Sequence, residues 1–371
     1  MTTGRAVVIG GTGQVGRAIA RRLRDAGWTV VVVGRGRTPV PADLADCALH
    51  LTDRADGATL AAAVGGDTRL LVDCACFTAA HARTLLPLLP RVESTVMISA
   101  KAVYVDDRGR HVNSAESPDF GGPVIESGAT LPPLVGDDFA SREGYGRGKV
   151  AAERVLLDDG HPVTVLRPSK VHGPGATRPH EWVFVKRILD HRPVVLLAGA
   201  GRGADQPTGA ANLAALIETV AGRPGRRILN VADPDAPDGR QIARTIAAHF
   251  GHDWREVPLP DDADPTLGRH PWDRRPPIVL DTSAAAALGH RPVGSYAETI
   301  GPTLDWLAGL AMRTDRGYVL PAGFDVAGIE AMLDYGAEDR YLAAVTPASR
   351  RPPGPTSRSA ASPRPRRRRR G

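Results

Sequence analysis

Cysteine is nearly absent from this chain. Three in 371 residues (Cys47, Cys74 and Cys76) build no disulfide framework, and their spacing fits no zinc site. Cys74 and Cys76 lie in or just after an apolar run, where small buried thiols are expected. No apolar run reaches the length of a membrane span, which excludes a helical transmembrane segment. No leader pattern precedes the first strand-like run, so the expectation is a cytoplasmic protein. Aromatic residues are scarce, at 5%. Trp182, Trp254, Trp272 and Trp306 fit core packing better than a nucleic-acid recognition stripe. The histidines, among them His180, His191, His252 and His270, lack metal-ligand spacing, so no metal is expected.

Acid is missing from the C-terminal stretch. From Thr346 onward there are nine arginines and no Asp or Glu. Removing those nine charges from the formal net charge of +6 leaves −3 for residues 1–345. The body is therefore slightly acidic, which gives no sign of a nucleic-acid-binding surface, and the pI of about 9.5 reports the tail. Residues 346–371, rich in Pro, Ser and Arg, cannot bury a core and are expected to be disordered. Nucleic acid or an anionic lipid surface would be met through this tail alone, by counterion release. A solvated extension without a partner is the simpler expectation.

What is present begins at once. Ala6 to Ile9 reads as a buried strand, Gly10-Gly11-Thr12-Gly13-Gln14-Val15-Gly16 as a tight turn, and Val15, Ile19 and Leu23 fall on one helical stripe. Glycines at 10, 13 and 16 let the backbone turn, approach phosphate, and pack the helix close to the sheet. The helix start then offers free N–H groups to an anion. A plain strand–helix turn is the bland alternative, but the flanking strand and helix supply the context that a dinucleotide site demands. Gly10, Thr12, Gly13, Gln14, Val15 and Gly16 are the expected cofactor cradle.

Strand-like runs continue at 29–33, 48–51, 70–72, 95–98 and 163–166, with helical stretches over 56–64, 79–89 and 149–158. That alternation predicts an α/β fold, a Rossmann-like doubly wound parallel sheet with its crevice at the carboxyl ends of the strands. Residues 105–144, rich in Pro, Gly, Asp and Ser, read as a long loop beside the site. Beyond Gly175 the pattern predicts helices over 181–190, 210–221, 241–250 and 296–311 and strands over 194–198 and 227–231. The expected division is a nucleotide-binding domain over 1–172, a smaller substrate-binding lobe over 173–345 partly interleaved with it, and the tail over 346–371.

Arg35 lies roughly 20 residues beyond the glycines, where an NAD-selective site carries an acid for the ribose hydroxyls. An arginine there suits a 2′-phosphate instead, so NADP is expected, with NAD as the alternative; otherwise Arg35 and Arg37 are solvated loop charges. Asp53 and Arg54, at the next strand end, are placed for the adenine side, or Asp53 caps the helix that follows. Tyr145 and Lys149 are spaced i, i+4 and share a helical face. An ammonium beside a phenol draws its pKa down toward the working range of a proton donor and acceptor. Gly144, Gly146 and Gly148 weaken that helix by about 1 kcal/mol each relative to Ala.

As a set, these segments resemble the extended short-chain dehydrogenase/reductase superfamily, of the NAD(P)-dependent epimerase/dehydratase type. The matching residues also include Ser99-Ala100-Lys101-Ala102-Val103-Tyr104, Arg167-Pro168, Val171-His172-Gly173-Pro174-Gly175, Leu288-Gly289-His290-Arg291-Pro292 and Leu304-Asp305-Trp306-Leu307. The resemblance spans about residues 5–310. It implies that Tyr145 is the catalytic acid/base, that Lys149 binds the nicotinamide ribose, and that hydride moves at the nicotinamide ring. It also implies dimers through sheet-flanking helices.

Three departures stand out. The superfamily's Ser or Thr, four residues before the tyrosine of the Val-Tyr pair, is Ala100 here. Ser99 is one residue off and on a strand faces the other way. Losing a hydroxyl that polarises a carbonyl costs roughly two to three orders of magnitude in rate; Ser141, His172 or a substrate hydroxyl are the available substitutes. His172 stands for a usual tyrosine, with a positioning role expected, and Val105 for a usual glycine. Three readings follow. The first is an NAD(P)-dependent reductase, epimerase or dehydratase for a small carbonyl or hydroxyl substrate such as a nucleotide sugar. The others are a catalytically weak NADP-binding regulator and a nucleic-acid-associated member of the superfamily.

Overall fold

The computed structural model describes residues 3–36, 41–136 and 138–345. Arg37 and the tail at 346–371 lie outside the described residues. The first half runs β1 (Arg5–Ile9), α1 (Gln14–Asp25), β2 (Thr29–Gly34), β3 (Ala48–Leu51), α2 (Gly57–Val64), β4 (Thr68–Asp73), α3 (Ala79–Arg83), β5 (Ser94–Ile98), α4 (Arg142–Asp158) and β6 (Val163–Pro168). The second half runs β7 (Lys170–His172), α5 (Trp182–Leu189), β8 (Val194–Leu197), β9 (Pro207–Gly209), α6 (Ala210–Ala221), β10 (Arg227–Val231), α7 (Gly239–His249) and β11 (Arg255–Pro258). It ends with α8 (Ser283–Ala287), α9 (Tyr296–Thr299), α10 (Gly301–Leu310), the hairpin β12 (Met312–Thr314) and β13 (Gly317–Val319), and α11 (Ala327–Glu330). Residues up to Asp334 form one compact unit; α12 (Tyr335–Val345) belongs to a second.

Seven strands build the central sheet in the order β10-β6-β5-β4-β1-β2-β3, with every pairing parallel. Val7 sits between Val31 and Leu71. The apolar runs are continuous because both faces are covered. One face packs under α1 and α6 through Val8, Ile19, Leu23, Leu213 and Ile217; the other buries Val7, Leu60, Leu71, Leu85 and Leu156. Full burial of a residue such as Leu23 contributes about 1.5–3 kcal/mol. A third core, around Trp182, Phe184, Ile246, Trp272 and Leu304, holds the later helices together.

The doubly wound parallel sheet is the one expected, and most elements fall where the periodicity places them. Two helices differ. The stretch over 79–89 divides into α3 and a 3-10 segment at Leu86–Arg91, because Pro87 and Pro90 lack the N–H that a continuing α-helix needs. The stretch over 296–311 breaks at Ile300, which closes α9 and opens α10 ahead of Gly301-Pro302. A third also differs: α4 starts at Arg142, about two turns before the expected 149.

Candidate active site

The turn after β1 is closed by Gly10 N donating to Val33 O at 2.8 Å and Gly13 N to Gly10 O at 3.1 Å. Gly10 adopts φ +76°, a conformation that side chains oppose. At Gly16 an added Cβ would stand 2.2 Å from Gly10 O and 2.6 Å from Gly11 Cα, whereas at Gly13 it would meet only Gly10 O at 3.5 Å. One glycine therefore serves helix–turn packing, and the other leaves open space above the helix start. Asp56, Thr78 and Ser141 cap α2, α3 and α4 with their side chains, but Gly13 gives α1 no side-chain cap. The first-turn amides of Gln14, Val15 and Gly16 are thus left to an anion.

Gly10, Thr12 and Gly13 line a groove of about 420 Å³ whose wall also includes Arg35, Arg54, Phe77 and Phe139, whereas Gln14, Val15 and Gly16 of the expected cradle are not part of that wall. Exposed Arg35 stands at the rim after β2. Arg54 is buried, ion-paired with Asp73, and donates to His81 O at 3.1 Å. Asp53 is exposed, is not part of the groove wall, and accepts from Ala55 N at 2.9 Å; the N-cap of α2 is Asp56. Gln14 Nε2 donates to Gly173 O at 3.2 Å, tying the turn to the strand end beyond β7. Val15 packs against the core.

Tyr145 and Lys149 share α4 as expected, and the glycines around them explain its path. A Cβ would lie 1.5 Å from Asp138 O at Gly144, 2.2 Å from Ala102 O at Gly146, and 2.5 Å from Phe77 O at Gly148. The helix gives up intrinsic stability so that its first turns can press against the strand ends of β4 and β5. Lys149 Nζ donates to the carbonyls of Cys76 and Ile98, each at 2.8 Å, and lies 4.2 Å from the Phe77 ring centroid. Its distance to the Tyr145 ring centroid is 5.9 Å. The phenol is not drawn down as the i, i+4 spacing suggests: burial pushes Tyr145 up, and burial lowers Lys149 to about 8. Phe77 stacks on Phe139 at 5.6 Å and contacts Tyr145 at 6.4 Å between centroids.

Tyr145 also faces a second cavity, of about 650 Å³, lined by Ala100, Lys101, Ser169, Lys170, Asp205 and Arg274 among others. Ala100 and Tyr145 thus line the same cavity. Ser99 points behind the sheet to Glu153, which also holds Arg167 through contacts of 3.1 and 2.5 Å. Ser141 caps α4 by accepting from Gly144 N at 2.9 Å. His172 is buried, with Nε2 2.9 Å from Asp233 Oδ2 and its ring against Tyr296. Neither Ser141 nor His172 lines the cavity. Sequence reasoning missed Lys101, Lys170, Asp205 and Arg274. Lys101 was adjacent to Ala100 and readable; Lys170 arrives from the start of β7 and Asp205 and Arg274 from later loops, without a local signature.

Among the described residues no helix is long and apolar enough to cross a membrane. No curated protein matches the chain at a significant level. Solved structures do match. The UDP-glucose 4-epimerase of Thermotoga maritima, solved with UDP-glucose, is 17% identical over 82% of this chain and 99% of its own, with a TM-score of 0.63. A UDP-N-acetylglucosamine 4-epimerase of Methanobrevibacter ruminantium, in complex with UDP-N-acetylmuramic acid, is 17% identical over 83% and 99%, with a TM-score of 0.63. The dTDP-glucose 4,6-dehydratase of Bacillus anthracis, in complex with NAD, is 16% identical over 82% and 96%, with a TM-score of 0.62. At such identities the likeness speaks for the fold. The model of the NAD dependent epimerase/dehydratase family matches residues 6–205, more than half of the sequence, and the chain belongs to that family.

Proposed function

We propose that the chain is an NADP-dependent oxidoreductase or epimerase/dehydratase for a small carbonyl or hydroxyl substrate, a class that includes nucleotide sugars, working in the cytoplasm as a homodimer. The observation that carries this reading is the meeting of two spaces. Phe77 lines the glycine-floored groove and Tyr145 lines the other cavity, and the two rings lie 6.4 Å apart between centroids. The open space over Gly13 and the uncapped start of α1 fit a pyrophosphate. Arg35 at the rim suits a 2′-phosphate.

A bound nicotinamide carrier supplies hydride donation and acceptance. Gly10, Gly13 and the first amides of α1 would hold its pyrophosphate. Lys149, 1% exposed and donating to the Cys76 and Ile98 carbonyls beneath Phe77, would meet its ribose hydroxyls only on giving up one of those carbonyls. Tyr145 holds its proton, because burial keeps the phenol in its neutral form, and is set to donate at Oη to a substrate oxygen in the reducing direction. The absence of a hydroxyl at Ala100 favours a second reading, a weakly catalytic NADP-binding regulator. Calorimetry with NADPH and NADH, followed by turnover across carbonyl and sugar-nucleotide panels, separates the two. Tyr145→Phe is expected to abolish turnover while preserving nucleotide binding; undiminished turnover refutes the role given to Tyr145. Binding without turnover, with partial rescue by Ala100→Ser, selects the regulator.

A further inference from the structure

The substrate cavity holds more positive charge than its acids balance. Lys101, in the turn after β5, donates from Nζ to Ser169 Oγ at 3.0 Å and pairs with Asp205. Lys170, opening β7, approaches the other oxygen of the same carboxylate at 3.1 Å. The side chains of Lys101, Lys170 and Asp205 are only 9%, 15% and 3% exposed. Arg274 reaches the cavity from a later loop and is held by neutral acceptors, Val112 O at 3.0 Å and Ser117 Oγ at 3.4 Å. Two lysines thus share one buried carboxylate, and Arg274 lines the same cavity without an ion-pair partner there among the described residues. Glu181, which also acts on Lys170, is itself pushed toward its neutral form by burial. Arg142 adds charge at the mouth, and the Arg178–Asp325 pair on the rim adds none.

Surplus charge of one sign in a closed space is costly, and a protein retains it where a ligand of the other sign completes the site. The strain is visible in the chain alone: burial and the neighbouring Arg274 lower Lys170 to about 7, and Lys101 is pushed in the same direction. The cluster lies beside Ala100 and Tyr145, on the reacting side of the cavity rather than along the nucleotide groove.

We infer that Lys101, Lys170 and Arg274 form a subsite for an anionic group, a carboxylate or a phosphate, carried by the substrate close to its reacting carbon. The inference rests on the functional reading above and names the substrate class within it: hydroxy or keto acids, sugar acids and sugar phosphates rather than neutral sugars. Ionic anchoring next to the carbonyl then supplies the orientation that a hydroxyl at residue 100 would give. Lys101, Lys170 and Arg274 are specificity-determining residues in this scheme, and Tyr145 remains the proton donor.

The test uses the full chain with its groove saturated by NADPH, titrated at constant ionic strength with malonate, with inorganic phosphate, and with glucose as a neutral control. Calorimetry reads affinity, and NMR of the lysine side chains reads their titration. Saturable binding of malonate or phosphate, absent for glucose, is expected, with the Lys170 midpoint moving up from about 7 as the anion binds. The probe that binds distinguishes carboxylate from phosphate. Lys101→Met and Arg274→Gln are each expected to weaken the anion at least about tenfold, since each removes a direct charge contact. Arg274→Gln leaves no buried acid unpaired and keeps the test valid if Lys101→Met fails to fold. The inference is overturned if neither anion saturates, or if both variants bind anion as the wild type does. NADPH binding is measured separately in every variant, so loss of the cofactor reading is distinguishable from loss of the anion subsite.

Discussion

Gly13 and Gly16 are three residues apart in one turn, yet alanine should separate them cleanly. At Gly16 the new Cβ falls 2.2 Å from Gly10 O and 2.6 Å from Gly11 Cα, so α1 must back away by about an ångström from a turn made of backbone. Helix propensity favours Ala by about 1 kcal/mol, but overpacking of this kind costs about 1–3 kcal/mol or more. α1 also buries Ile19, Ala20 and Leu23, contacts that retreat would loosen. A net loss of up to about 2 kcal/mol follows from these terms. At Gly13 the Cβ meets only Gly10 O at 3.5 Å, and φ is −78°, a value any residue adopts. Ala caps a helix less well than Gly, by up to about 1 kcal/mol, while the stiffer unfolded chain returns about 0.4–1 kcal/mol. Stability should therefore hardly change. The methyl group, however, would fill the space where phosphate must approach the amides of α1. Urea melts and calorimetric titration with NADPH, run on both variants, check the pair. Gly16→Ala should lose stability, whereas Gly13→Ala should keep it and lose at least about tenfold in nucleotide affinity. Full nucleotide affinity in Gly13→Ala would refute the assignment of this turn as a phosphate cradle.

Arg35→Asp should weaken NADPH binding relative to NADH, read as a ratio of calorimetric affinities; an unchanged ratio overturns the 2′-phosphate role. Glu153→Gln leaves buried Arg167 without its carboxylate and should cost about 3–5 kcal/mol in urea melts, a loss that pairing it with Arg167→Met should partly recover. His270 is 4% exposed and burial lowers its pKa to about 4 from 6.5. The unfolded chain then takes up a proton that the folded one refuses, so stability is lost as the pH falls from 6.5 toward 4, by on the order of 3 kcal/mol at most. His270→Phe should flatten that part of the pH–stability curve, and an equally steep loss would exclude His270 as its source.

The strands and the glycine turn were legible because their signals are local: a continuous apolar run, three glycines, then a stripe at helical spacing. The pairing of Tyr145 with Lys149 was legible for the same reason. What stayed hidden depends on contacts across the chain. The extension of α4 back to Arg142 runs through three glycines that lower helix propensity, and only the approach of the Asp138, Ala102 and Phe77 carbonyls explains them. The spacing of Tyr145 and Lys149 suggested a lowered phenol pKa, but the ammonium is engaged by the Cys76 and Ile98 carbonyls beneath Phe77. His172, a potential proton donor by position, is locked to Asp233 by a strand end some 60 residues later. The lysine pair on Asp205 joins residues from β7 and two separate loops, and no spacing in the sequence announces it.

β10 pairs with β6 along Arg227–Val231, and β6 is buried at every position. A fragment that stops at residue 172 would expose a row of unpaired amides and carbonyls on an apolar strand, a template for self-association. The half of the sheet that carries the glycine turn thus borrows an outermost strand from the sequence that also lines the second cavity. Any recombination that exchanged the later segment for another specificity would have to bring a compatible seventh strand with it.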